Sequence, residues 1–260
     1  MTSKAASRGS RSVSVWPIDF AMIVENGSWT AQGSDRHHAR VLTPVELENY
    51  VNQVGFLPLF AMPGVPGFSA EEVSPREYWW TGNALDPWEW RGILAARGNV
   101  AYGKFFAGKA GFISKEWYPL FASYRRDGYD FDSRWEDGLA TTRQKKIIDT
   151  LGRYGMLLSP ELKGLAGFGK GGEKGYEGVI SQLMMQTYIV LRGFEQRRNK
   201  KGEPYGWAVA LYSSAEQLFG GDYIAAGYKT APQKAREEIE RRVLTVSPAA
   251  DLNAIKKMIK

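Results

Sequence analysis

Two aspartates, Asp130 and Asp132, are the side chains of this sequence best suited to acid–base chemistry. They lie between residues 125 and 140, where carboxylates and arginines follow each other closely. A carboxylate in such a cluster can activate a water molecule, hold a metal ion or stabilise positive charge that develops during a reaction. It can also cap a helix or pair with a neighbouring arginine. We favour this structural role, because the interleaved basic residues would neutralise the cluster.

A predicted hairpin carries a second group of candidate functional residues, which could bind phosphate. Two runs rich in β-branched and aromatic residues, 188–194 and 205–212, flank a polar turn-forming segment. The tip of this hairpin holds Arg197, Arg198, Lys200 and Lys201. Residues 141–201 contain twelve Lys and Arg against five Asp and Glu, a net charge of +7, whereas the whole chain carries +6 and the rest of it therefore about −1. Concentrated basic charge can neutralise several phosphates and release their counterions.

Two helices and a glycine-rich turn precede the hairpin. The first helix is predicted to begin at Ser159 and Pro160, with the serine as its cap. After the glycines of residues 167–172, a second, amphipathic helix is predicted from about Gly175 to Thr187. This order is typical of a winged helix-turn-helix, which lays its second helix in a major groove and its hairpin on the phosphates.

Ten polar residues of this segment are predicted to contact DNA. They lie on the helix predicted over residues 141–154, which leads into the unit as its first helix, on the glycine-rich turn, on the outer face or border of the helix predicted over residues 175–187, or at the hairpin tip. They are Lys145, Lys170, Lys174, Ser181, Gln182, Gln186, Arg197, Arg198, Lys200 and Lys201. The alternative is a small α+β domain whose helix packs inward and whose charged tip is merely solvated.

The rest of the chain favours an α+β fold, with a winged helix-turn-helix either alone or as tandem units packed together. We predict a disordered N-terminal arm over residues 1–14 and an α+β region over 15–140 that could hold a second winged-helix-like unit. The winged helix-turn-helix follows over 141–213, and C-terminal helices occupy 214–260. No internal repeat of fixed period is visible in the sequence.

Five tryptophans in the first half could be stacking platforms for unpaired bases. They are Trp79, Trp80, Trp88, Trp90 and Trp117. Because they lie at spacings typical of helix packing, we expect them to belong to the hydrophobic core.

Composition excludes several classes of protein. There is no cysteine, which rules out disulfides, thiol catalysis and cysteine-ligated zinc. The two histidines, His37 and His38, are neighbours in a polar segment without further ligands, so we predict neither a metal site nor a cofactor. No apolar run is long enough to span a bilayer, and the N-terminus lacks the apolar segment of a secretory signal. These features favour a cytoplasmic protein with no membrane partner.

Five sequence blocks carry a resemblance to a known family: DPWEWRG, NVAYGKFFAGKAGFIS, YRRDGYDFDSRWEDGLA, ELKGLAGFGKGGEKGYEGVISQLMMQTY and KKGEPYGWAVALYS. They resemble the bacterial AlkZ-related proteins over residues 41–228. Those proteins are in turn similar to the winged-helix DNA glycosylases of the AlkZ-like group, which use tandem winged helices and a Gln-x-Gln catalytic motif. Gln-x-Gln does not occur in this sequence. The resemblance therefore implies a DNA-binding scaffold more than it implies base excision.

Three hypotheses follow for the function. The first is a winged-helix protein that binds double-stranded DNA without a cofactor and is linked to recognition of damaged DNA. The second is a monofunctional DNA N-glycosylase that releases alkylated or crosslinked bases, with Asp130 or Asp132 in place of the missing motif. The third is a protein-interaction module whose basic hairpin contacts an acidic partner.

Overall fold

Helices and strands alternate along the part of the chain that the structure describes. The structure is a computed structural model that describes residues 41–199 and 201–260. The predictions for residues 1–14, for the histidine pair and for Lys200 lie outside the described residues. The described helices are α1 Pro44–Val54, α2 Ala70–Val73, α3 Pro87–Arg97, α4 Tyr118–Arg126, α5 Phe131–Glu136, α6 Thr142–Tyr154, α7 Ser159–Leu165, α8 Tyr176–Met185, α9 Ala215–Phe219, α10 Gly221–Ala225, α11 Pro232–Val246 and α12 Leu252–Ile259.

One antiparallel sheet connects the two halves of the described chain. Its strands are β1 Phe56–Pro58, β2 Val100–Phe106, β3 Lys109–Ser114, β4 Leu157–Leu158, β5 Ile189–Arg198 and β6 Pro204–Ser214. The strand order across the sheet is β1-β3-β2-β5-β6-β4. The chain is therefore of mixed helix and sheet type, as the sequence predicts.

The same order of elements occurs twice in the chain. A helix, a short strand, two helices and a hairpin run from α1 to β3 and again from α6 to β6. In each half the short strand pairs with the second strand of the hairpin, β1 with β3 and β4 with β6. The halves meet where Tyr102 pairs with Leu191, and each of these is the third residue of its strand. The strand order is therefore symmetric about the pairing of β2 with β5.

Local sequence signals set several of the observed boundaries. Thr43 caps α1 by accepting from the Glu46 amide, and Asp86 caps α3 by accepting from the Trp88 amide. Gly98 ends α3 in the left-handed conformation, with φ of 72°. The predicted cap at Ser159 is wrong: α7 already includes Ser159, and Leu158 precedes it in extended conformation. The Glu161 carboxylate accepts from the Leu158 amide at 3.2 Å, so a side chain inside the first turn satisfies the helix start.

The C-terminal helices pack on the first half of the chain. In α11, the Arg242 guanidinium donates to the carbonyls of Gln53 and Val54 at the end of α1. The Ser247 hydroxyl donates to the Pro66 carbonyl at 2.7 Å, and the Asp251 amide donates to the Gly64 carbonyl at 2.8 Å. Helix α11 and the start of α12 are thus held against the first half.

Candidate nucleic-acid interface

Helix α8 lies on the core through one face and leaves the other face to solvent. Its buried residues are Tyr176, Val179, Ile180, Leu183 and Met184. The helix is shorter than predicted, because the chain turns at Thr187, where φ is 62°. The Tyr118 hydroxyl donates to the Thr187 carbonyl at 2.7 Å and holds this turn.

Two arginines of α4 support the C-terminal end of α8. The Arg125 guanidinium donates to the carbonyls of Phe105, Met185 and Ile259, so it joins the two halves and the C-terminus. Burial lowers the pKa of Arg125 to about 10. Arg126 donates to the Thr187 carbonyl at 2.6 Å and forms an ion pair with Glu216 at 2.6 Å. Burial alone would lower the pKa of Arg126, but the Glu216 carboxylate raises it above the ordinary value for arginine.

The three predicted contacts on α8 have different surroundings. Gln182 is exposed, whereas Ser181 is half-buried and accepts from Lys104 Nζ at 3.1 Å. Lys104 belongs to β2 of the first half, so sequence analysis of the second half could not associate it with α8. Gln186 is half-buried, and its side-chain oxygen accepts from the Gln144 amide group at 3.0 Å. The outward face of α8 thus combines small polar side chains with one lysine from the other half.

The three predicted lysines that precede α8 lie in two places, two in the glycine-rich turn and one on α6. Lys170 and Lys174 are exposed in the glycine-rich turn, and the Lys174 carbonyl accepts from Arg143 at 3.2 Å. Lys145 is half-buried and forms an ion pair with Asp149 at 2.8 Å, one turn further along α6. The turn therefore presents exposed cations, while the charge of Lys145 is partly balanced.

The hairpin of β5 and β6 extends into solvent beyond the body of the sheet. Every described residue from Glu195 to Ala208 is exposed. Arg197 lies over the Tyr205 ring at 5.1 Å, and Arg198 donates to the Gly202 carbonyl at 2.8 Å. Lys201 is exposed at the tip. We refer to residues 195–208 as the basic hairpin.

Two aromatic side chains lie on the basic hairpin beside these cations. Trp207 is 91% exposed and Tyr205 is 45% exposed. Trp207 was not predicted as a functional residue. Its position next to the polar hairpin tip was a usable signal, because its strand lies opposite Gln196 and Arg197, where no core can cover the tryptophan. The hairpin therefore offers flat aromatic surfaces as well as charge.

The structure gives Asp130 a defined local role. Residues 131–136 form α5, and Asp130 caps this helix by accepting from the Ser133 amide at 2.8 Å and from the Ser133 hydroxyl at 3.1 Å. Asp132 lies exposed in the first turn of the same helix. Within residues 41–199 and 201–260, no group of three or more acidic or histidine side chains is arranged to hold a metal ion.

Replacing Asp130 by alanine should lower the free energy of unfolding by about 1 kcal/mol, because two hydrogen bonds of a helix cap are removed. Glu136→Ala, at the exposed end of the same helix, should change it by less than about 0.5 kcal/mol. Urea denaturation of both variants measures the difference. Equal stabilities would show that Asp130 is free for another role.

Comparison with known proteins identifies one relationship. A family model described as AlkZ related matches residues 41–260. No curated protein and no solved structure matches the chain. In addition, none of the helices in the described part of the chain is both long enough and apolar enough to cross a membrane.

Proposed function

Since the chain belongs to the AlkZ-related family, we propose that it binds double-stranded DNA through two winged helix-turn-helix units joined at their hairpins. The repeated order of elements supports this assignment, because in each half a short strand after the first helix pairs with the last strand of the hairpin. In this proposal α3 and α8 are the second helices of the two units. The hairpins β2-β3 and β5-β6 are their wings.

The observation that carries the proposal is the exposed basic hairpin directly after α8. Its cations and its aromatic rings lie outside the body of the sheet, where they can reach a phosphate backbone. The first hairpin is different, since its strands are joined by only Ala107 and Gly108, and Phe105 and Phe106 before the turn are fully buried. We therefore assign the phosphate contacts to the second unit, with Lys104 and the lysines of the glycine-rich turn beside it.

We further propose that the protein recognises DNA, including damaged DNA, without excising bases. Asp130 is occupied as a helix cap, and the sequence contains no Gln-x-Gln. A DNA-binding role would also place the protein in the cytoplasm of a bacterial cell.

Salt-dependent binding of a fluorescently labelled duplex tests the proposal. The anisotropy of the duplex should report binding whose affinity falls as salt rises, with a log–log slope of about −0.9 for each phosphate contacted. A protein-interaction module would show no such binding, and that result would overturn the proposal. Release of a base from an alkylated duplex would leave DNA binding in place but contradict the assignment of a non-excising protein.

A further inference from the structure

An aromatic cluster in the first half surrounds the exposed ring of Trp80, which lies between α2 and α3. The rings of Phe60, Trp79, Trp80 and Trp88 contact one another, with Trp80 at 5.0 Å from Trp88 and 6.1 Å from Phe60 between ring centroids. Trp79 is buried and its indole nitrogen donates to Ser74 at 2.9 Å, so the base of the cluster is fixed. Trp80 is 65% exposed. The expectation that all five tryptophans of this region are core residues is therefore wrong for Trp80.

The backbone at Trp80 is in an unfavourable conformation. Its φ is 66°, in the left-handed region that a bulky side chain rarely adopts. Such strain persists only where the surrounding structure imposes it, and it is concentrated at functional sites. At Trp80 the strained backbone holds a large apolar ring at the surface, where no burial of the ring offsets the free-energy cost of the strain.

A continuous series of stacked groups connects this ring to the strand of the basic hairpin. The Arg91 guanidinium lies 3.5 Å from the Trp88 ring centre on one side and 4.6 Å from the Phe194 ring centre on the other. Burial lowers the pKa of Arg91, and the neighbouring Tyr102 acts in the opposite direction. Phe194 belongs to β5, only three residues before Arg197 of the basic hairpin. Trp80 is therefore connected through Trp88 and Arg91 to Phe194 of β5, the strand that continues into the basic hairpin.

We propose that Trp80 is a stacking site for an unpaired nucleobase, which makes junctions, bulges or extruded bases the preferred DNA of this protein. The inference rests on the proposed DNA-binding function. Sites for unpaired nucleic acid combine cations along the backbone with aromatic rings for the bases. A base inside an intact duplex is covered on both faces by its neighbours. Away from the duplex ends, only an unpaired base can offer its face to Trp80, whose ring is held by contacts with Phe60 and Trp88.

The test compares two labelled duplexes, one fully paired and one with a single unpaired 2-aminopurine. The wild-type protein should bind the second about tenfold more tightly and quench the 2-aminopurine fluorescence, because one stacked base is typically worth a tenfold change or more in affinity. Trp80→Ala should lose both the preference and the quenching but keep its affinity for the paired duplex. Trp80→Phe should retain part of both.

Tyr223→Ala is the matched control, since Tyr223 is an exposed aromatic residue of α10 and should behave as wild type. Retained affinity of Trp80→Ala for the paired duplex shows that the variant is folded. Equal affinity of the wild type for both duplexes, or a preference that survives Trp80→Ala, would overturn the stacking site while leaving the DNA-binding proposal intact. Absence of binding to either duplex would overturn both.

Discussion

Replacement of Arg126 by methionine should lower the free energy of unfolding by about 3 kcal/mol. Arg126 is 1% exposed and contacts four residues. It forms the ion pair with Glu216, donates to the Thr187 carbonyl and to the Tyr228 hydroxyl, and lies 4.3 Å from the Tyr188 ring centre. Methionine keeps much of the apolar volume, so the decrease measures the charged hydrogen bonds more than a cavity.

The expected decrease is at the lower end of the range for broken buried ion pairs. The Glu216 side chain is 39% exposed, so water can solvate its carboxylate once the arginine is gone. The Thr187 carbonyl also keeps its bond from Tyr118. The remaining decrease comes from the lost hydrogen bonds between the charged guanidinium and its buried acceptors, which contribute about 1.5 to 3 kcal/mol each.

Lys146→Met is the matched control for this experiment. Lys146 forms an ion pair with Glu173 at 2.8 Å on the surface, where the two side chains are 45% and 30% exposed, and such pairs contribute about 0 to 1 kcal/mol. Denaturant unfolding should therefore separate the two variants by about 2 kcal/mol or more. Similar midpoints for both would mean that the Arg126 cluster does not anchor the end of α8.

The local elements could be predicted from the sequence where a cap or a turn residue marks them. Thr43, Asp86 and Asp251 each cap the helix that follows, and Ala107 and Gly108 form the turn between β2 and β3. These signals involve neighbours in sequence, so they require no knowledge of the rest of the fold. The Ser159 prediction failed because a glutamate in the first turn satisfies the helix start equally well.

The sequence raised a second winged-helix-like unit in residues 15–140 only as one alternative, because the elements repeat in topology and not in spacing. Eleven residues separate β1 from α2, whereas α7 follows β4 directly, so equivalent elements do not recur at one interval. The repeated order appears only when β1 pairs with β3, β4 pairs with β6, and Tyr102 pairs with Leu191. For the same reason Lys104, from the first half, was not predicted to lie beside Ser181.

The sequence also could not predict which aromatic side chains are exposed. Trp79, Trp80, Trp88 and Trp90 lie within twelve residues, yet Trp90 is fully buried, Trp88 is half-buried and Trp80 is largely exposed. The left-handed backbone at Trp80 turns its ring outward, and no spacing rule predicts a tryptophan in that conformation. The composition gives the number of tryptophans, but only the fold shows which of them can contact a ligand.

The largest functional effect is expected from the basic hairpin, where Arg197, Arg198, Lys200 and Lys201 are replaced together by alanine. Affinity for a duplex at low salt should fall by several kcal/mol, because each cation that binds a phosphate releases counterions. The log–log salt slope should become less steep by about 0.9 for each phosphate that is no longer neutralised, or about 3 to 4 units if all four side chains bind phosphate. Since the described residues of the hairpin are exposed, the variant should unfold at the same denaturant concentration as the wild type.

Trp207→Ala in the same hairpin distinguishes charge from stacking. Trp207 is almost fully exposed, so its removal should not destabilise the fold. Stacking on a base involves no counterion release, and this variant should lose about 1 to 3 kcal/mol of affinity for single-stranded or frayed ends while keeping the wild-type salt slope. Anisotropy titrations of both variants over one salt series provide the comparison. If the four-alanine variant keeps both the affinity and the slope of the wild type, the hairpin does not contact phosphate, and the DNA-binding surface of the second unit must lie elsewhere.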